Sequence, residues 1–311
     1  MATGSSNGGT EKLINNHAMN LRTQARALLI RTATLARLDE LALRVQNLSS
    51  VARGLIIGVH ETPASLASQF HAQLKWASQH FTITTLEVFA KLWDDPSSFH
   101  TNSKPLLLFT FDDGRESNYA VAAPLLESFG GRGTFFVVPA FAECAPSQSL
   151  SFYRANINPD SRPGDEQWAD WRPMNPAQIA DLAARGHAIG NHTLTHRRLV
   201  GLSSDELQRE IGDSALKLTA WTQKPVDAFA WTFGWDAVDA NAWEVIRRYH
   251  RFCFAPCAGI IDRRYDIPSL LWRREIEVKY SAPEYRFLYS GLVDPWWSTR
   301  RRLLRKMLRL L

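Results

Sequence analysis

Cysteine is scarce in this chain: Cys144, Cys253 and Cys257 are all there are, and an odd number leaves at least one thiol unpaired. A disulfide framework is therefore not what organises the fold, and a reducing compartment is the expectation. Long apolar runs are missing too. No stretch approaches about 18 consecutive apolar residues, so no spanning helix is expected. Residues Met1 to Thr10 are small and polar and lack the charged-then-apolar order of a secretory signal. No repeat of roughly 20–50 residues is evident, which excludes solenoids and propellers. There is no His-Glu-x-x-His, which sets aside a zincin protease. No histidine follows His250.

What is present has globular proportions. Hydrophobic residues make up 45% of the 311 and charged residues 22%, so wholesale disorder and fibrous architectures are excluded. The net charge of +5 hides an asymmetry. Residues 1–53 carry seven basic and three acidic residues, and residues 300–311 carry six basic and no acidic ones. Residues 54–299 hold 23 basic against 28 acidic residues. An acidic middle is not built to grip a phosphate backbone, so no nucleic-acid partner is expected.

The patterning divides the chain into four stretches. Residues 1–16 are rich in Gly, Ser, Asn and Thr and read as disordered. Residues 17–53 read as an amphipathic helical extension, one long helix or two with a break, whose Leu21, Leu28, Leu35, Leu38, Leu41, Val45 and Leu48 recur every three or four positions. That face can pack on the main domain or pair with a second copy. Residues 54–290 alternate short apolar strands with helical segments. Strands are expected at 55–59, 82–84, 105–111, 133–138, 188–190, 229–234, 252–255 and 275–278, and residues 144–175 read as a long polar loop rich in aromatics. Residues 291–311 form a tail in which Leu303, Leu304, Met307 and Leu308 alternate with six basic residues. Such a helix docks on the domain or lies on a membrane surface.

Two motifs carry the chemistry. Thr110-Phe111-Asp112-Asp113-Gly114 puts adjacent carboxylates at the end of a buried strand. Burying two carboxylates is costly unless a cation or proton compensates. His192-Thr193-Leu194-Thr195-His196 follows a second strand. Histidines four apart face one side of a helical turn and can share a metal ion. One carboxylate and two imidazoles make a facial ligand set with open positions, and the remaining aspartate is left free as a base.

The order Thr-Phe-Asp-Asp-Gly, then Asn-His-Thr-x-Thr-His, resembles the NodB-type polysaccharide deacetylases of the fourth carbohydrate esterase family. Gly133-Thr134-Phe135-Phe136-Val137 and the stretch from Trp171 to Leu199 extend the likeness. Gly58-Val59-His60 and Phe229-Ala230-Trp231-Thr232-Phe233-Gly234 resemble segments of the branch that acts in exopolysaccharide and biofilm systems. The resemblance implies a distorted (β/α) barrel of about seven strands within an α/β fold. It implies Asp112 as catalytic base, Asp113, His192 and His196 as metal ligands, and the Phe233 N–H as an oxyanion donor. Arg273, in Leu271-Trp272-Arg273, resembles the arginine that holds the base ionised. The implied cofactor is a divalent metal: Zn²⁺, with Co²⁺, Ni²⁺ or Mn²⁺ as alternatives.

The implied reaction is hydrolysis of N-acetyl groups from a polysaccharide or a lipid-linked amino sugar, giving acetate and a free amine. Three departures stand against it. Ala230 and Thr232 replace the third motif's usual arginine and proline. The late histidine that serves as general acid is missing, and His60 and His250 are substitutes by location only. Two other readings stay open: an amidohydrolase or O-acetyl esterase on a small substrate, and a catalytically weak glycan-binding homologue. The missing signal pattern and the cysteine count suggest the cytoplasm, with the basic tail at the inner membrane surface.

Overall fold

The computed structural model describes residues 30–47, 53–99, 104–159 and 171–310. The reading of residues 1–16 and most of the proposed helix before Ile30 lie outside the described residues, as does Trp168.

Ten strands make one sheet: β1 (Arg53–Val59), β2 (Thr82–Ile83), β3 (Leu106–Phe111), β4 (Thr134–Val137) and β5 (Ala188–Asn191), then β6 (Ala228–Ala230), β7 (Phe252–Ala255), β8 (Ile261–Asp262), β9 (Leu271–Trp272) and β10 (Arg274–Glu275). Their order is β10-β1-β3-β4-β5-β6-β7-β9, with β2 on β3 and β8 on β1. Every pairing is parallel except β1 with β8. β9 and β10 are one stretch of chain, so Leu271–Glu275 pairs with β7 at one end and β1 at the other and closes the sheet into a distorted barrel.

The strands read as continuous apolar runs because both faces are covered. Along β1, Leu55, Ile57 and Val59 join a core cluster with Phe70 and Leu74 of helix Ala67–His80, whereas Ile56 joins the opposite cluster with Phe89 and Leu92 of Leu86–Asp94. The two-residue period of the strand thus feeds two cores. The flanking segments belong to the same body. Ile30, Ala33 and Leu43 are buried in the first core. The N-terminal segment takes the broken form, with helix up to Leu35, a turn at Arg37 (φ 55°) and helix Leu38–Asn47.

Several expectations shift. Residues 146–157 are helical, Pro146–Phe152 running into Tyr153–Ile157, so the long polar loop is shorter than its composition suggests. Ala145 sits just ahead of Pro146, a proline pre-set for a first helical turn. The strand at 229–234 stops at Ala230, and that at 275–278 gives way to the closing strands at 271–275. The C-terminal helix, Asp294–Met307, buries Leu304 and, just beyond it, Leu308 against the second core. Part of its apolar side is therefore spent on the domain, while Leu303 and Trp296 stay exposed. Among the described residues, no helix is long and apolar enough to cross a membrane.

Candidate active site

Parallel strands bring their carboxyl ends to one edge, and the side chains that follow them gather there. The ladder continues one residue past each strand. Asp112 donates its N–H to the Val59 carbonyl (3.2 Å), His192 to Val137 (3.0 Å), Trp231 to Phe254 (3.2 Å) and Arg273 to Ala255 (3.0 Å). Asp112, His192, Trp231 and Arg273 therefore share one rim, and Val59 pairing with Phe111 sets His60 beside Asp112.

Backbone strain concentrates at this rim. Seven described non-glycine residues have positive φ, and four of them are Asp113, Thr193, His196 and Phe233. Left-handed backbone is costly for such residues and persists only where the surroundings impose it. Residues 192–196 are irregular, not a helical turn. The two histidines converge because Thr193 (φ 62°) and His196 (φ 63°) bend the chain, not because of helical spacing.

The donor set is arranged for a cation. His192 Nδ1–H donates to the Ala230 carbonyl (3.0 Å) and His196 Nδ1–H to the Asn156 carbonyl (2.8 Å). Each imidazole then presents its Nε2 lone pair, at 3.8 Å (His192) and 3.6 Å (His196) from Asp113 Oδ1. Carbonyl partners that fix the tautomer are the usual support of metal-binding histidines. Burial lowers His192 to about 4, so the ring stays neutral. Burial works against ionised Asp113, but Arg115 and the imidazoles outweigh it and hold the carboxyl well below its ordinary range. All three side chains are buried, and their ligand atoms lie within 4.8 Å of one another. One carboxylate and two imidazoles suit a borderline-soft divalent ion, so the residues fit the implied metal.

Asp112 stands next to this set and is clamped. Arg273 Nη1 and Nη2 donate to its two oxygens at 2.6 Å each. Both side chains are about 2% exposed, so the pair sits in a low-dielectric setting. Burial alone would raise Asp112; the guanidinium and the imidazoles reverse that and keep it ionised.

A cavity of about 340 Å³ opens over these groups. His60, Arg115, Trp171, Phe233, Glu275 and Glu277 are among the other residues of its wall. His60 Nδ1 is hydrogen bonded to Glu277 Oε1 (2.8 Å), and its Nε2 lies 3.7 Å from Asp112 Oδ2. Burial disfavours its charge, yet Glu277, Glu275 and Asp112 raise it to about 10, so His60 is a cation at neutral pH. His250 takes no part. It is buried behind β5, within 3.2 Å of both Asn191 Nδ2 and the Ile246 carbonyl, and burial lowers it to about 4. Phe233 lines the cavity with its ring 4.7 Å from that of His196.

The structure thus brings together all six residues singled out by the motifs and the resemblance: Asp112, Asp113, His192, His196, Arg273 and Phe233. Sequence reasoning missed Arg115, Glu275 and Glu277. The glutamates were legible as an alternating pair just past Arg273, and Arg115 as a cation next to Asp-Asp-Gly. Trp243 is a core residue, Trp231 is buried in the cavity wall, and Trp171 is half-buried on it.

A family model described as polysaccharide deacetylase matches residues 100–250. Those 151 residues, just under half of the chain, match the polysaccharide deacetylase family. It is similar to a putative polysaccharide deacetylase of Bacillus subtilis, 26% identical over 148 residues, 47% of this chain and 42% of that one. The chain spans under half the length of the curated relatives it matches. The domain superposes on a polysaccharide deacetylase from Bacillus cereus (TM-score 0.56, 18% identity), covering 77% of this chain and 69% of that one. It superposes equally on the BpsB deacetylase domain of Bordetella bronchiseptica (TM-score 0.56, 14% identity), covering 74% and 97%. The family match ends at His250, so the candidate site draws Arg273, Glu275 and Glu277 from beyond it and His60 from before it.

Proposed function

We propose that this protein hydrolyses N-acetyl groups from an amino sugar of a glycan, releasing acetate and leaving a free amine. One observation carries the reading: a buried Asp113–His192–His196 ligand set lies beside an Arg273-clamped Asp112 in a single cavity. Asp113, His192 and His196 would hold a divalent ion, Zn²⁺ in our reading, which would supply Lewis acidity at the acetyl group when bound.

Asp112 is the base. Arg273 keeps it ionised and fixes both its oxygens, so it accepts the water's proton without reorienting. The Phe233 N–H, on a strained turn at the rim, is the oxyanion donor. His60 takes the place of the missing late histidine. It is cationic, held by Glu277 and turned towards Asp112, and it delivers a proton to the departing amine. The half-buried Trp171 and the polar Asn158 suit a pyranose ring.

The test is acetate release from N-acetylglucosamine oligomers by zinc-loaded protein, with a chelated sample and Asp112→Asn alongside. Release that requires metal and falls about 10²–10⁴-fold in Asp112→Asn supports the reading. Absence of release by protein that binds zinc stoichiometrically would sink it in favour of another acyl substrate or a binding role.

A further inference from the structure

We propose that Arg115 is a positioning residue for the metal ligand Asp113, an inference that rests on the metal-site reading above. A carboxylate has two oxygens, and here they have different duties. Oδ2 accepts from Arg115 Nη2 (2.7 Å) and Nε (3.1 Å), while Oδ1 faces the two imidazole Nε2 atoms. Two donors on one oxygen lock the rotation of the carboxylate about its last torsion. Asp113 is thereby restricted to offering a single oxygen to an ion.

The guanidinium is itself held. Its centre lies 4.1 Å from the Trp171 ring centroid and 5.8 Å from that of Tyr153, and the side chain is 4% exposed. The main chain on either side is pinned to the Trp171 segment. Glu116 N–H donates to the Arg172 carbonyl (2.7 Å), and Met174 N–H to that of Gly114 (2.8 Å). A buried guanidinium costs much to desolvate and is weak evidence for stability by itself. Its fixed orientation on one oxygen of one ligand is the feature that needs a function. Supports of this kind are commonly worth about 10–100-fold in metal affinity. An aromatic on the cavity wall thus holds the face of the guanidinium whose edge aligns a ligand, and the wall and the metal site are mechanically joined.

The experiment measures zinc affinity by competition with a chromophoric chelator, and the visible spectrum of cobalt-loaded protein, for the intact chain, Arg115→Met, Arg115→Lys and Trp171→Ala. Arg115→Met is expected to bind zinc about 10–100-fold more weakly. Its cobalt absorption should also weaken, because the freed Oδ2 raises the coordination number. Arg115→Lys should recover part of the affinity, since one ammonium replaces the charge without the paired donors. Trp171→Ala keeps the ion pair but frees its plane, and should lose affinity several-fold. If Arg115→Met does not fold by circular dichroism, Trp171→Ala decides. Unchanged or tighter zinc binding with an unchanged cobalt spectrum overturns the proposal and leaves the metal-site reading standing. Failure of the intact chain to bind zinc overturns both.

Discussion

Single residues here do opposite things with the same chemistry. Asp112 and Asp113 are neighbours, buried alike and each paired with an arginine. One is clamped through both oxygens by Arg273, and the other is held through one oxygen by Arg115, which leaves the second for a ligand role. Replacing Arg273 by Gln should therefore affect two measurements at once. Stranding a buried charge costs about 3–5 kcal/mol, visible in chemical denaturation, and activity should fall with it. His60→Gln should behave differently. It removes a proton donor that is no ligand, so zinc affinity should hold while kcat falls about 10²-fold or more. In the intact protein, activity should decline as pH rises through about 10, where His60 loses its proton. His60→Gln should lack that limb. A variant that keeps both rate and limb would remove His60 from the mechanism.

At the scale of elements, the decisive piece is the closing segment Leu271–Glu275. It carries Arg273 to Asp112 and sets Glu275 over β1. Gly58 is where the two approach most closely. A Cβ there would lie 2.5 Å from Glu275 Oε2. Gly58→Ala should push Glu275 aside and disturb its contacts with His60 and Arg273, lowering activity more than stability; thermal melts beside rates would show it. Elements also mark the limit of what the residues alone reveal. Strands 55–59, 105–111 and 252–255 were legible because they are apolar on both faces. Leu271–Glu275 was not legible as a strand. It is two short pairings on different neighbours with a charged residue between them, and no periodicity survives in so few residues. The histidine pair was found for an incomplete reason: the spacing was right, but left-handed backbone, which leaves no mark in the residue types, makes it converge.

For the whole molecule, buried histidines set the pH response of the metal-free protein. His192 and His250 sit at about 4 when folded, below their ordinary value of 6.5. Their contribution is present above pH 6.5 and is lost as pH falls from there towards 4, because the unfolded chain binds the extra protons. His60 sits at about 10, above 6.5, so its contribution is present below pH 6.5 and is lost as pH rises towards 10. The melting temperature without metal should peak near neutrality and fall on both sides. His250→Asn should soften only the acid limb, and an unchanged limb would refute this assignment. The docked C-terminal helix changes the membrane proposal in the same spirit. Removing residues 295–311 would expose the second core, so vesicle binding should instead be tested with Arg300, Arg302 and Arg309 changed to Gln. Loss of binding to anionic vesicles, with the melting temperature kept, would support a surface contact.

Closure by the final strands has a consequence for synthesis. Asp112 and Asp113 leave the ribosome about 160 residues before Arg273, the cation that clamps Asp112. At about 5–20 residues per second, the interval is roughly 8–30 s. For that time a nascent chain holds its aspartates, and for about the second half of it the histidines as well, without the arginine and glutamates that complete the rim. The candidate site is thus completed last, and a translation product cut short before residue 271 would have most of the motifs but lack the arginine that clamps Asp112.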